Sequence, residues 1–323
     1  MQNHNEKINS LIRILHQHTE FISGETISKT LHITRASVWK YIEQLRTIGY
    51  YIEAQPHRGY RLVSIPDNII AAEIQLDLHT AVFGKEILVF PELDSTNAHA
   101  AVLAQAQHPE GTVIIAERQT KGRGRLGRTW VSYDGGVYCS IILRPPVTPQ
   151  EATEITLFGA VSLCHLLSQQ FGLPAKIRWP NDVLICQKKV AGILTELEAE
   201  QDRVHFVILG IGINCNTSLK LLPEEASSLK EELGAPVSRI ALIRELLTML
   251  DYFYALWLNR GFQEIAALWR QYSSILGRIV RVDFRDTHVE GVATDIDEQG
   301  ALLIRLDNGI IKKITAGDVT LLR

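Results

Sequence analysis

The stretch Gly122-Arg123-Gly124-Arg125-Leu126-Gly127-Arg128-Thr129-Trp130 sets three arginines and three glycines in nine residues, with Lys121 just before it. Arginine stays charged, and its planar fork matches the oxygens of phosphate and carboxylate groups. Glycine lets the backbone take positive φ angles and come close to a ligand. The chemistry open to such a loop is holding an anion. The apolar run Val113 to Glu117 and the run Tyr138 to Leu143 read as strands, so the loop joins two strands. It opens no helix and lacks the Gly-Lys-Ser/Thr ending of a P-loop, so its GxG pattern argues for neither a P-loop nor a Rossmann site. By residue type alone it is either an anionic small-molecule site or a solvated basic loop that meets RNA or nothing.

Three more clusters could take part. Ser95-Thr96-Asn97 stands where an alanine-rich helical stretch begins. Side chains and free N–H groups there either hold a small polar ligand or simply cap the helix. In Trp179-Pro180-Asn181-Asp182, Pro180 makes a fixed, non-helical corner. Its Asn-Asp pair either positions a cation or amine or forms an Asx turn. Lys189 opens an apolar strand, with Ala191 and Gly192 leaving space beside the ammonium. A compact charge there either follows negative charge developing on phosphorus or sits in water at a hairpin tip. Gly210-Ile211-Gly212-Ile213-Asn214 closes the apolar run from Val204, and glycines at a strand end let something approach the backbone.

The elements that must position these residues fall into three expected domains, 1–65, 66–275 and 276–323. In the first, Ile8, Leu11, Ile12 and Leu15 share a helical face. Ser23 and Thr34 can cap a second and third helix, and His32-Ile33-Thr34 makes the turn between them. Val38, Ile42 and Leu45 of the third helix face inward. Thr34, Arg35, Ser37, Lys40 and Gln44 lie at its start or on its outer side, as major-groove readers do. Residues 50–62 read as a hairpin wing with Arg58 at its tip. This winged helix-turn-helix carries eight basic and five acidic side chains, whereas the whole chain has a net charge of -3. One wing and one recognition helix give little affinity, so a two-fold dimer on a two-part operator is expected.

Pro66 marks the next boundary. The central segment reads as mixed α/β, with a long amphipathic helix from Glu151 to Phe171 and helices over Ser238–Leu258 and Phe262–Tyr272. Beyond Gly277, short strands at 278–284, 289–295, 301–305 and 310–315 alternate with turn signals, a small β-barrel too slight to be very stable alone. A hydrophobic content of 46% supplies the cores. No apolar run is long enough for a membrane span, and no secretory leader is read at the N-terminus. Cys139, Cys164, Cys186 and Cys215 form no CxxC and suit the reducing cytoplasm. No metal site is assigned.

Taken in order, the arginine loop, Trp179-Pro180-Asn181-Asp182, Lys189-Val190-Ala191-Gly192-Ile193-Leu194 and Gly210-Ile211-Gly212-Ile213-Asn214 resemble the biotin–protein ligases. The winged-helix start resembles their bifunctional, repressor-type members. The resemblance runs through essentially the whole chain. It implies a class II synthetase-like central domain and an SH3-like C-terminal barrel. It also implies an ATP-dependent, AMP-forming ligase that makes biotinyl-5′-adenylate with Mg²⁺, then biotinylates a lysine of the biotin carboxyl carrier protein of acetyl-CoA carboxylase. The same protein would repress biotin biosynthesis genes at operator DNA as a homodimer loaded with biotinyl-AMP. Residue by residue, Ser95, Thr96, Asn97, Gln119, Gly122, Gly124 and Gly192 would hold biotin. Arg123 and Arg125 would contact biotin and phosphate, Arg128 the ATP phosphates, and Lys189 the carboxylate and α-phosphate. Trp130, Asn181 and Asn214 would lie by the nucleotide, and Asp182 would orient the carrier lysine. The segment 215–225 departs from the family pattern and leaves the adenine-covering residue unassigned.

Overall fold

The structure, a computed structural model, describes residues 2–151, 154–200, 203–284 and 287–322, with side chains from Glu6 onward. Met1 and Arg323 of the first and last expected domains, and residues 152–153 of the expected helix from Glu151, lie outside the described residues. The chain divides into two compact units, Met1–Asp77 and Leu78–Arg323.

The first unit runs α1 (Gln2–Gln17), α2 (Gly24–Leu31), α3 (Arg35–Thr47), β1 (Tyr51–Gln55), β2 (Gly59–Ser64) and α4 (Ala71–Gln75). The Ser23 hydroxyl accepts from the Thr26 amide at 3.0 Å, and the Thr34 hydroxyl from the Ser37 amide at 3.1 Å. Each hydroxyl satisfies one donor that a helix start leaves free. Leu11, Ile27, Val38, Ile42 and Leu45 close the core, and β1 and β2 form the antiparallel wing. Gln44 turns from the outer face, its Oε1 buried. This unit extends beyond the expected boundary at Ile65. Helix α4 buries Glu73, whose carboxylate accepts from Tyr50 Oη at 2.7 Å and lies 3.0 Å from His16 Nε2. A buried carboxylate needs such partners, and they tie the segment after Pro66 to the winged helix.

The second unit runs β3 (Ile87–Leu93), α5 (Thr96–Gln105), β4 (Val113–Gln119), β5 (Val137–Leu143), α6 (Glu154–Gln170), β6 (Ala175–Arg178), β7 (Asp182–Ile185), β8 (Lys188–Ala199), β9 (Val204–Ile213), α7 (Leu229–Leu233), α8 (Arg239–Arg260) and α9 (Gln263–Tyr272). Seven strands form one sheet in the order β3-β4-β5-β9-β8-β7-β6, with only β3 and β4 parallel. Alternate residues of a strand face opposite sides. Ile208 and Phe206 therefore pack on α5 with Ala100 and Ala104, while Leu209 meets α6 at Gly159. Helix α6 is not amphipathic as expected. It packs on α8 and α9 as well as on the sheet, and buries Ile155, Leu157, Phe158, Val161, Leu163, Leu166 and Leu167 around its circumference. A helix covered on every side has no polar face to keep.

The same unit ends in β10 (Ile279–Phe284), β11 (Thr287–Ile296), β12 (Leu302–Arg305), β13 (Ile311–Ile314) and β14 (Asp318–Leu321). These form a five-stranded antiparallel sheet ordered β13-β12-β11-β10-β14, consistent with the small barrel expected. The last strand went unread in the sequence: it has four residues and lies next to β10, remote in the chain. None of the four cysteines forms a disulfide, and among the described residues no helix is long and apolar enough to cross a membrane.

Candidate active site

The site lies on the α5 side of the seven-stranded sheet. Cross-strand partners share a face, and the register aligns Tyr138, Gly212, Gly192 and Asp182 in a row across β5, β9, β8 and β7. Its two central members have no side chain, and the indole of Trp130 lies on the bare backbone they leave. A Cβ on Gly212 would come within 2.6 Å of that indole, and one on Gly192 within 2.9 Å. Only glycine permits this approach. The Lys189 ammonium stands 5.1 Å from the center of the Trp130 ring, within cation–π range.

Around this floor the charges alternate. Lys189 Nζ lies 2.6 Å from Asp182 Oδ1, and Arg178 donates to the other oxygen of that carboxylate at 2.8 Å. Arg125 donates to the Gly317 carbonyl at 3.0 Å and stands 3.7 Å from Asp318. Burial pulls the Arg125 guanidinium below its ordinary pKa, against the opposing pull of Asp318 and Asp182. Arg128 donates to Asp318 at 2.6 Å, and Arg123 reaches Glu196 at 3.5 Å. Each loop arginine is thus held by an oxygen, and a guanidinium with five donors keeps others free for a ligand.

A polar network closes the far end. Ser95 caps α5, and the Thr96 amide donates to Gln119 Oε1 at 2.8 Å. Gln119 Nε2 donates to Ser132 Oγ at 2.8 Å. Ser140 Oγ is 2.6 Å from Asn97 Oδ1 and 2.8 Å from Thr96 Oγ1, while Asn97 Nδ2 donates to Glu196 at 2.7 Å. These contacts fix side-chain orientation before any ligand arrives, the arrangement that lowers the cost of binding. Cys139 also lines the cavity, but burial pushes its thiol up to about 12, so it is no nucleophile.

One cavity gathers Ser95, Thr96, Asn97, Gln119, Arg123, Gly124, Arg125, Arg128, Trp130, Asn181, Asp182, Lys189 and Gly192, every expected site residue of this unit except Gly122 and Asn214. Gly122 sits behind the loop, where its carbonyl accepts from the Trp130 amide at 2.9 Å. Asn214 is buried, and its Nδ2 donates to the Ser227 carbonyl at 3.1 Å. That bond clamps the strand end to the following loop. Asp318, Glu196, Ser140 and Tyr138 were missed in the sequence. Glu196 follows Gly192 and Leu194 in the period-2 alternation of β8, a signal that could have found it. Asp318 comes from the far end of the chain and carries no motif.

On the winged helix, Arg35 and Lys40 are exposed on α3. The hydroxyls of Thr34 and Ser37 are 2.9 Å apart within the cap. Arg58 lies over the ring of Phe21, 4.4 Å from its center, and bonds Gln55 at 3.0 Å, which orients the wing tip.

Three family models match the chain: an HTH domain over residues 7–61, the biotin/lipoate A/B protein ligase family over 89–214, and the biotin protein ligase C terminal domain over 275–322. The bifunctional ligase/repressor BirA of Bacillus subtilis is 40% identical over 307 residues, 94% of each chain. BirA of Escherichia coli is 31% identical over 313 residues, 94% of this chain and 93% of its own. The biotin protein ligase from Aquifex aeolicus, solved in complex with biotin and ATP, is 32% identical with a TM-score of 0.64, covering 74% of this chain and 99% of that one.

Proposed function

Since the chain belongs to the biotin protein ligase family, in its bifunctional ligase/repressor form, we propose that the cavity on the arginine loop joins biotin to ATP. The observation that carries this is the meeting of four loop and strand cations, Arg123, Arg125, Arg128 and Lys189, over a floor of two glycines in one pocket. In the first step the biotin carboxylate attacks the α-phosphorus, the bond to pyrophosphate breaks, and biotinyl-5′-AMP forms. Carboxylate and triphosphate repel each other, and cations already fixed in place offset that repulsion without reorganizing.

Lys189 stands beside the reacting carboxylate and α-phosphate, with Arg123 and Arg125 on biotin and phosphate and Arg128 on the outer phosphates. Ser95, Thr96, Asn97 and Gln119 present the polar end of the pocket to the biotin ring, and Gly192 gives it room. Trp130 and Asn181 flank the nucleotide. Among the described residues no cluster of three His, Cys, Asp or Glu side chains could hold a metal. Mg²⁺ entering with ATP would share the charge on the leaving pyrophosphate.

In the second step a neutral lysine amine of a biotin carboxyl carrier protein attacks the acyl carbon, AMP leaves, the nitrogen gives up one proton to solvent, and an amide forms. Asp182, already bonded to Lys189 and Arg178, orients that amine. The mixed anhydride is water-labile, so the loop closes over it. The winged helix, presenting Arg35, Lys40 and Arg58, binds operator DNA as a homodimer once the adenylate has formed. The cytoplasm is the compartment that suits cysteines held in no disulfide.

The test is incubation of the protein with biotin, ATP, Mg²⁺ and an apo carrier domain, read by intact mass. One added biotinyl group on the carrier is expected, and an unmodified carrier would remove the ligase reading.

A further inference from the structure

Resting on the DNA-binding reading above, we infer that Trp39 reads a thymine: its indole packs on the C5-methyl group of one thymine in each half-site. Helix α3 buries Val38, Ile42 and Leu45 completely. Its outer side carries Arg35, Trp39 and Lys40, and Trp39 is 59% exposed. Trp179, Trp257 and Trp269 of the same chain are buried and Trp130 lies partly buried on the glycine floor, so of the five tryptophans Trp39 is the one classed as exposed.

Arg35 and Trp39 are four residues apart and so lie one above the other on the helix. Both belong to the N-terminal half of the second helix of the helix-turn-helix, the part that meets base edges in the major groove. Lys40 adjoins Trp39, and Glu43, one turn on, is neutralised by Arg46 at 2.7 Å. The surroundings of the ring are therefore cationic, which suits a polyanion better than an apolar protein surface. The major groove offers one apolar group, the thymine methyl, and a flat indole covers it while the flanking cations take phosphates.

The test begins with full-length protein supplied with biotin, ATP and Mg²⁺, used to select duplexes from a random-sequence library. The wild type is expected to select a two-part site with an invariant thymine in each half. Trp39→Ala should lose the preference at that position and keep it elsewhere, and Trp39→Phe should keep a weaker one. Replacing that thymine with deoxyuridine, which lacks only the methyl, should weaken wild-type binding about fourfold per half-site and leave Trp39→Ala binding unchanged. An unaltered preference in Trp39→Ala, or an equal deoxyuridine effect in both proteins, would overturn the assignment of Trp39 while leaving DNA binding intact. Failure of the wild type to select any sequence would overturn the DNA-binding reading itself, and this inference with it.

Discussion

The guanidinium of Arg128 donates to the carboxylate of Asp318 across 2.6 Å, although 190 residues separate the two in the chain. The carboxylate belongs to the last strand of the small sheet and the guanidinium to the arginine loop, so the C-terminal strands take part in shaping the cavity. An ion pair this exposed adds at most about 1 kcal/mol to stability. Its effect should therefore appear in nucleotide binding. Asp318→Asn is expected to raise the KM for ATP about fivefold, with KM for biotin and thermal midpoint little changed. An unchanged KM for ATP in a pyrophosphate-release assay would remove Asp318 from the site.

Lys189 is the cation nearest the bare glycine floor. Lys189→Ala is expected to slow adenylate formation by at least about a hundredfold, the scale of losing one fixed charge from a dry site. Single-turnover measurement of pyrophosphate release checks this, and near-normal turnover would take the lysine out of the reaction.

Gly212 matters because the Trp130 indole lies on it. A methyl group there meets a rigid ring at 2.6 Å, and the ring lies on a partly exposed loop that can shift. Gly212→Ala should leave the protein folded but weaken biotin binding by calorimetry. An affinity equal to wild type would show that the floor is not the biotin slot.

Glu154 is buried, with Trp257 Nε1 donating to it at 2.8 Å. Burial pushes its carboxyl up to about 7 from the ordinary 4.5, partly countered by that hydrogen bond. Folded protein thus holds this proton more tightly than unfolded chain, so the group's contribution to stability is lost as pH rises from 4.5 to about 7. Glu154→Gln should flatten the fall in thermal midpoint over that window and melt higher than wild type at pH 8. Parallel melting curves for the two proteins would contradict the shift.

Truncation after Asp77 removes the first compact unit whole. The product should biotinylate a carrier but bind no operator, as read by gel shift. Truncation after Ser64 instead leaves α4 with the Glu73 carboxylate stripped of Tyr50 and His16, and should give the less soluble protein. Equal behavior of the two truncations would place the boundary back near Pro66.

Local grammar carries much of this protein. Ser23 and Thr34 mark helix starts because a hydroxyl before an apolar period satisfies free amides. The apolar runs of β5 and β9 read as strands because a strand covered on both faces keeps no polar alternation. The four motifs point toward anion chemistry because arginine, lysine and glycine at those spacings suit anions and close approach, and likeness to its relatives places the chain in its family. Other features could not be read locally. Helix α6 looks two-faced until α8 and α9 cover it. Asn214 looks like a bare motif residue until its Nδ2 is found on the Ser227 carbonyl. Glu73 carries no local sign that Tyr50 and His16 enclose it.

By itself, then, the sequence determined the elements, their order and the residue types able to do the work. Those depend on neighbors a few positions away. Only the tertiary structure decided that Gly192 and Gly212 would lie side by side under Trp130, and that Asp318 would close on Arg128. Strand register and sheet order bring together groups far apart in the chain, and no local preference encodes that distance.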